Sequence, residues 1–181
     1  MSNKFYAAAI VLLTLTSCNK LPFLKTLNIE VPYSKDFDGP KLDTAIQLPN
    51  GGLSYSTPAE MMETHVKQQL IEHGLTENQV TKITINSYMQ HINSGNFDFV
   101  DSVGLFLSAR DMPEIMVAGQ TSIPKNSTDI QFICTQENLM NYLMKDTVYI
   151  RIQGHFNKVP AYATYHSDLL FTIGTNLKKE D

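Results

Sequence analysis

The sequence lacks the motifs that would assign it to a common enzyme class. It contains no G-x-S-x-G, P-loop or G-x-G-x-x-G motif, and so carries no hydrolase-elbow or nucleotide-binding signature. It also lacks a basic excess, because 14 lysine and arginine residues stand against 18 aspartate and glutamate residues, a net charge of −4. Nucleic-acid binding needs a concentrated positive surface, so this balance argues against a nucleic-acid partner. We expect a non-enzymatic protein without a cofactor.

Long apolar runs and cysteines are also scarce. The only long apolar run covers residues 5–15, about half of the roughly twenty residues that a transmembrane helix needs. The two cysteines are Cys18 and Cys134. Cys134 alternates with Ile130 and Phe132 in "DIQFICTQ", which places all three on one strand face and favours a buried structural thiol. A catalytic thiol needs a neighbouring base or a helix N-terminus, and the local sequence offers neither.

The apolar run ends in a specific motif. Lys4 precedes the run, its length suits the apolar region of a signal peptide, and "LTSC" closes it at residues 15–18. This motif resembles the lipobox of bacterial lipoproteins, in which a leucine and two small residues precede an invariant cysteine. The resemblance implies cleavage before Cys18, a diacylglyceryl group on its thiol and acylation of the new amine. The alternative is an ordinary signal peptide that leaves Cys18 as a free thiol.

The lipobox resemblance also implies a location. Several acyl chains on one residue anchor a chain stably to a membrane that it does not span. By the sorting rules of enteric bacteria, Asn19 after the cysteine favours the outer membrane. Some surface-exported Bacteroidota lipoproteins carry an acidic run at this point, which "CNKLPFLK" lacks. The periplasmic face is therefore favoured over the cell surface.

The remaining chain is predicted to form one β-rich domain. Its length suffices for a single hydrophobic core, and long segments such as "KITINSYMQHI" and "TVYIRIQGHF" alternate apolar and polar residues. We expect a mainly β protein, an antiparallel β-sandwich of about seven strands. The predicted divisions are a signal peptide (1–17), a lipidated tether (18–27), the sandwich (28–177) and a solvated tail (178–181).

Two helices and one hairpin are predicted within this domain. A long helix is expected at about 57–74, with Thr57 as N-cap, Glu60 completing a capping box and Gly74 ending the helix. The segment "ENLMNYLMK" predicts a short helix at about 137–145. The runs "KITINSYMQHI" and "FDFVDSVGLFLSA", joined by "NSGN", are predicted to pair as a hairpin.

A second resemblance concerns the strands. The succession "FVDSVGLFLSARDMPEIMVA…TSIP" resembles Bacteroidota envelope lipoproteins. More distantly, the layout of residues 80–175 is similar to late-embryogenesis-abundant type 2 (WHy) domains. The resemblance implies a sandwich fold and transfers no functional residue.

Candidate modification and metal sites come from short patterns. The tripeptides "DTA", "DSV" and "DTV" resemble the O-glycosylation acceptor of Bacteroidota, which implies modification at Thr44, Ser102 and Thr147. A metal site would require three strands to bring their histidines together, and solvated or hydrogen-bonded histidines are the alternative. The histidines concerned are His91, His155 and His166.

Candidate partner contacts lie in two loops. Arg110 and Asp111 occupy the charged segment "SARDMPE", and Tyr162 and Tyr165 lie close together in "GHFNKVPAYATYH". Tyrosines supply large contact area with few rotamers, which suits recognition. The competing interpretations are a solvated turn for the first pair and a covered sandwich edge for the second.

Two functions agree with these features. The first is a lipid-anchored periplasmic interaction module, an accessory subunit that binds an envelope protein. The alternative is a carrier that binds a lipid or another amphiphile in an apolar cleft. Methionines can line such a cleft or simply fill the core. Those concerned are Met61, Met62, Met140 and Met144.

Overall fold

A computed structural model describes residues 26–39, 52–159 and 162–176. Cys18, Thr44, the predicted signal peptide and the predicted tail lie outside these residues. The strands are β1 (Thr26–Asp38), β2 (Leu53–Ser56), β3 (Glu60–Glu63), β4 (Val80–Ile92), β5 (Val100–Ala109), β6 (Met112–Gln120), β7 (Asp129–Gln131), β8 (Ile133–Cys134), β9 (Thr147–Phe156) and β10 (Thr164–Asn176). The helices are α1 (Val66–Glu72) and α2 (Met140–Leu143).

The strands form two antiparallel sheets, which confirms the predicted mainly β class and sandwich. The four-stranded sheet has the order β1-β10-β4-β7. The six-stranded sheet has the order β2-β9-β5-β6-β8, with β3 pairing beside β2 on the same edge of β9. The inner faces share one core, in which Ile83 and Ile173 of the first sheet and Val148 of the second are fully buried. The structure describes ten strands against the predicted seven or so, and four of the ten are only two to four residues long.

The predicted helix at 57–74 is wrong in its first half, which is a broken edge strand. The Thr57 amide donates to the Ile152 carbonyl at 2.9 Å, and the Thr57 hydroxyl accepts from the Ile152 amide at 3.0 Å. The hydroxyl expected to cap a helix therefore completes the ladder between β2 and β3. Met61 is 57% exposed and Met62 1% exposed, an alternation with the period of a strand.

The second half of that prediction is confirmed. Helix α1 buries Val66 and Leu70, and it ends as the sequence predicts. Gly74 adopts φ +67°, and the amides of Gly74 and Leu75 donate to the carbonyls of Ile71 and Leu70 at 3.0 and 2.8 Å. This pattern is a Schellman motif, with Leu75 buried against the core. The predicted short helix at 137–145 is present as the single turn α2.

The predicted hairpin between the runs "KITINSYMQHI" and "FDFVDSVGLFLSA" is wrong. Strand β4 lies in the four-stranded sheet and β5 in the six-stranded sheet, so the "NSGN" connection crosses between the sheets. Phe97 in this crossing is buried and contacts the Tyr165 ring, with centroids 6.0 Å apart. The strand β1 begins at Thr26, inside the segment predicted as the tether. Among the described residues, no helix is long and apolar enough to cross a membrane.

Candidate functional site

The outer face of the six-stranded sheet carries a groove of about 500 Å³. Strand register builds it from side chains on neighbouring strands. One row across the sheet runs from Gln153 on β9 through Gly104 and Gly119 to Ile133 on β8. The rows on either side are Arg151–Phe106–Met116 and Ser54–His155–Ser102. The volume falls within the usual range of roughly 300–1,000 Å³ for ligand pockets. We call this feature the glycine groove.

Two paired glycines form the floor of the glycine groove. A Cβ at Gly104 would lie 3.1 Å from the Phe106 ring and 3.4 Å from the Met116 sulfur. A Cβ at Gly119 would lie 3.7 Å from that same sulfur. The side chains of the neighbouring row therefore lean over the space that the glycines leave open. A glycine inside a strand is typical of such close approaches.

Phe106 forms the wall beside the floor, and Arg151 holds this wall in place. Its guanidinium donates twice to Glu114 on β6, from Nε at 2.8 Å and from Nη2 at 2.5 Å. Nη1 donates to the Ser56 hydroxyl, and the guanidinium carbon lies 4.7 Å from the centre of the Phe106 ring. The hydrogen bond lowers the pKa of Glu114 and raises that of Arg151, so both groups stay ionised and neutralise each other.

The opposite end of the groove is polar. Asp101 Oδ2 lies 3.2 Å from His155 Nδ1, which orients the imidazole between its cross-strand neighbours Ser54 and Ser102. Among the described residues, neither serine hydroxyl hydrogen-bonds to His155, so the serines, His155 and Asp101 do not form an assembled nucleophile–base pair. The arrangement offers hydroxyl and imidazole groups for binding.

Cys134 lines the glycine groove from β8. The sequence predicted a core position, and the structure places the residue half-buried, at the boundary between core and groove. Burial raises the pKa of the thiol, which keeps it protonated. Protonated thiols are weak nucleophiles, so Cys134 contributes packing at this site.

The outer face of the six-stranded sheet is also the more apolar of the two. Four large apolar side chains stand 40–71% exposed on it: Met61, Met116, Ile133 and Tyr149. On the outer face of the four-stranded sheet the comparable residue is Met89, whose side chain is 36% exposed. Contiguous exposed apolar surface is typical of an interaction site.

The four-stranded sheet instead presents a charged row across its outer face. Asp36, His166, His91 and Asp129 are paired in register on β1, β10, β4 and β7. His166 Nδ1 lies 2.6 Å from Asp36, and His91 Nδ1 lies 2.8 Å from Asp129. His155 lies on the other sheet, so the structure does not bring the three strand histidines together. No group of three metal-ligating side chains is assembled in the part of the chain that the structure describes.

The predicted partner residues are separated. Arg110 and Asp111 form the exposed β5–β6 turn, at the end of β5 opposite to Phe97 and Tyr165. Tyr162 is 51% exposed and donates to Asp38 at 2.8 Å. Tyr165 is 5% exposed and stacks on Phe37 inside the core, which agrees with the alternative of a covered sandwich edge.

The predicted glycosylation residues have different positions. Ser102 is half-buried at the rim of the glycine groove, and Thr147 is half-buried at the start of β9 opposite Glu63. Thr44 lies outside the described residues. Modification at these three positions stays a prediction.

The space between the sheets is small. Two neighbouring apolar cavities, which share Phe37, Thr57 and Ile152, have volumes of about 40 and 50 Å³. Both volumes are far below the roughly 300–1,000 Å³ of a typical ligand pocket. The carrier alternative therefore gains no support from these two cavities.

Comparison with known proteins gives no family assignment. No protein-family model matches the sequence, and no curated protein is significantly similar to it. The lipobox and WHy resemblances therefore stay predictions.

Sequence reasoning missed the glycine groove, although glycines inside the strand-like runs "SVGLFLS" and "IMVAGQ" were a signal for it.

Proposed function

We propose that this chain is a lipid-anchored, non-enzymatic interaction module of the bacterial envelope. The observation that carries the proposal is the asymmetry of the sandwich. One outer face is charged and internally paired, and the other exposes apolar side chains around a preformed groove. Methionine, aromatic and arginine side chains, which this face presents, are enriched at protein interfaces.

The groove suits binding better than catalysis. Its one free thiol has a raised pKa, and its histidine is oriented by Asp101 without a bound nucleophile. Arg151, which donates two hydrogen bonds to Glu114, holds this wall of the groove in one conformation. A fixed wall lowers the entropy cost of binding a partner.

The anchor is tested separately from the face. We expect an alkyne analogue of palmitate, fed to the native bacterium, to label the protein through Cys18. The Cys18→Ala variant should lose the label and leave the membrane fraction, whereas Cys134→Ala, the matched control, should keep both. Label retained in Cys18→Ala would contradict lipidation at this residue.

The binding face is tested by photo-crosslinking in intact cells. A benzoylphenylalanine at position 133, beside the groove, should capture a protein partner at native expression level. The same group at position 89 on the outer face of the four-stranded sheet is the control, because Met89 is also an exposed apolar residue on a strand. Equal capture from both positions would argue against a specific face.

A further inference from the structure

We infer that the glycine groove binds a neutral saccharide chain. This inference rests on the function proposed above and deepens it, because it names the chemistry of the ligand at the same face. Three observations carry it: the unlike walls of the groove, the hydrogen-bonding groups that the fold leaves unused there, and the low charge of the lining.

The two walls of the glycine groove are chemically unlike. Phe106 and Met116 line one side with apolar surface, and both lean over Gly104, so they form an inclined apolar slope. Ser102 and His155 line the opposite side with polar groups. A sugar ring has a similar division, because its faces carry C–H groups and its edge carries hydroxyls. A ring that rests on the apolar slope therefore turns edge hydroxyls toward the polar wall.

The polar wall holds hydrogen-bonding groups that the fold leaves unused. The hydroxyls of Ser54, Ser102 and Thr121 line the groove and hydrogen-bond to no described residue. His155 engages Asp101 through Nδ1, which leaves Nε2 for another partner. A hydroxyl both donates and accepts, and an imidazole nitrogen can do either. A ligand rich in hydroxyls satisfies these groups, whereas a hydrocarbon would desolvate them without replacing their bonds to water.

The low charge of the lining favours a neutral ligand over an ionic one. Among the described residues that line the groove, only His155 and Cys134 have ionisable side chains, and the raised pKa of Cys134 keeps its thiol neutral. Arg151 behind the apolar wall is bonded twice to Glu114, so its charge is already matched. A phosphate or carboxylate would lose water here without gaining a free cation, which is costly.

The length of the groove suits several sugar rings in line. Its lining reaches from Ser54 on β2 to Ile133 on β8, across five neighbouring strands. At about 4.8 Å between strands this distance is about 19 Å. Strands β2 and β8 lie at opposite edges of the six-stranded sheet. A linear chain can therefore cross the sheet at right angles to the strands and leave the groove at both ends.

A glycan array of neutral and acidic saccharides tests the ligand class. The full chain is applied in a detergent without a sugar headgroup, because such a headgroup would compete for the groove. We expect binding to one or more linear neutral glycans, and weaker binding to glycans in which every ring carries a carboxylate or a sulfate. Binding to acidic glycans alone, or to no glycan, would overturn the inference.

Two glycine variants test whether the groove is the site. In Gly119→Val the added Cβ would lie 3.4 Å from its nearest neighbour, the Val103 carbonyl oxygen, so the strand accommodates it while the side chain fills the floor. Calorimetry with the glycan identified on the array should show a dissociation constant raised by about tenfold or more. Gly174→Val on β10, whose nearest neighbours lie at 3.5 Å, is the matched control and should bind like the unchanged chain.

Two histidine variants test the polar wall. His155→Phe keeps a ring of similar size and removes the hydrogen-bonding nitrogens, so the dissociation constant should rise roughly threefold or more. His91→Phe on the other sheet is the matched control and should bind normally. Far-ultraviolet circular dichroism and thermal midpoints check that all four variants fold. If both Gly119→Val and His155→Phe bound the glycan as tightly as the unchanged chain, the site would lie elsewhere and the inference would be overturned.

The product crosslinked from position 133 separates this inference from the proposed function. A product that disappears when the identified glycan is added supports both, and its mass before and after chemical deglycosylation distinguishes a glycoprotein from a free polysaccharide. A product with an envelope protein, from a chain that binds no neutral glycan, overturns the saccharide ligand and leaves the interaction module. No glycan bound, and no product above that from position 89, overturns both.

Discussion

At the scale of single residues, His166 of the four-stranded sheet is held between two carboxylates. Its Nδ1 lies 2.6 Å from Asp36 and its Nε2 lies 3.2 Å from Asp168. Only the imidazolium carries a hydrogen on both nitrogens, so this arrangement favours the charged form. The hydrogen bond to Asp36 is the main cause of the raised pKa of His166, with burial opposing it. His91 faces His166 from β4 and is itself paired with Asp129 of β7.

This geometry predicts a pH-dependent contribution to stability. Because the folded pKa of His166 is raised, the contribution is fully present below the unfolded pKa of about 6.5 and is lost as pH rises through the folded pKa. The difference in free energy of unfolding between the unchanged chain and His166→Gln should therefore shrink as pH rises above about 6.5. Urea denaturation from pH 5 to 9 measures it.

Two further variants identify the partner. Asp36→Asn should remove most of the same pH dependence of the free energy of unfolding as His166→Gln does, because both variants delete the same hydrogen bond. Asp129→Asn should show a pH dependence only in more acidic solution, below the range of that measurement. The pKa of Asp129 is lowered by His91, so its contribution is present above its unfolded pKa and disappears only as pH falls. A pH-independent difference for His166→Gln would contradict the assignment.

At the scale of elements, the end of α1 depends on one backbone conformation. Gly74 has φ +67°, and no atom lies within 4 Å of the position a Cβ would take. Substitution is therefore opposed by backbone strain alone. We expect Gly74→Ala to lower the free energy of unfolding by about 1–2 kcal/mol. Gly74→Asn should cost less, because asparagine tolerates the left-handed region, and equal costs for both in urea denaturation would contradict this account.

The same segment shows what sequence could and could not predict. The Schellman end of α1 depends on Gly74 and Leu75, which are local, and it was predicted. The strand at Glu60–Glu63 was mistaken for helix because its partner, β9, lies almost ninety residues away in the sequence. Thr57 has a hydroxyl that can serve a helix cap or a ladder equally well. Only the distant strand decides between them.

The candidate site was beyond sequence reasoning for a similar cause. The β5–β6 hairpin closes with Ala109 opposite Met112, and an unbroken register would place Gly104 opposite Val117. Two register shifts place Gly104 opposite Gly119 instead and so create the groove floor. Neither shift has a sequence signal of its own. The period-two alternation of β9, by contrast, predicted its inner and outer residues correctly.

The strand β1 has an edge that no described strand pairs. Thirteen residues in register with β10 would make this a long template for aggregation. Pro32 interrupts it, since a proline is tolerated in a ladder only where its nitrogen faces away from the partner strand. We expect Pro32→Val to form large particles that the unchanged chain does not form, measured by light scattering during incubation.

A charged variant is the control for Pro32. Pro32→Lys also restores the amide donor, but it places an ammonium group on the edge, which discourages pairing with another chain. It should therefore stay free of large particles under the same conditions. Similar aggregation of the valine and lysine variants would show that the proline ring, rather than edge protection, is what matters.

At the scale of the whole molecule, the two sheets are joined by crossings of the chain and by an ion pair. The seven-residue crossing between β4 and β5 and the adjacent β7 and β8 connect the sheets covalently on one side, and β9 and β10, which follow each other in the chain, connect them on the side of β1. On the side of β1, Lys35 of the four-stranded sheet pairs with Glu60 of the six-stranded sheet. Among the described residues this is the one ion pair that joins the two sheets. It lies at the mouth of an inter-sheet cavity.

We expect this pair to control local opening more than global stability. Both side chains are about 40% exposed, and exposed pairs contribute about 0.5 kcal/mol. Lys35→Glu would place two carboxylates together and should accelerate amide exchange in Tyr33–Phe37 several-fold, while the free energy of unfolding falls only slightly. The double variant Lys35→Glu with Glu60→Lys restores an opposite-charge pair and should return exchange close to its original rate. If Lys35→Glu left exchange in β1 unchanged, the two sheets would be held together on this side by apolar packing alone.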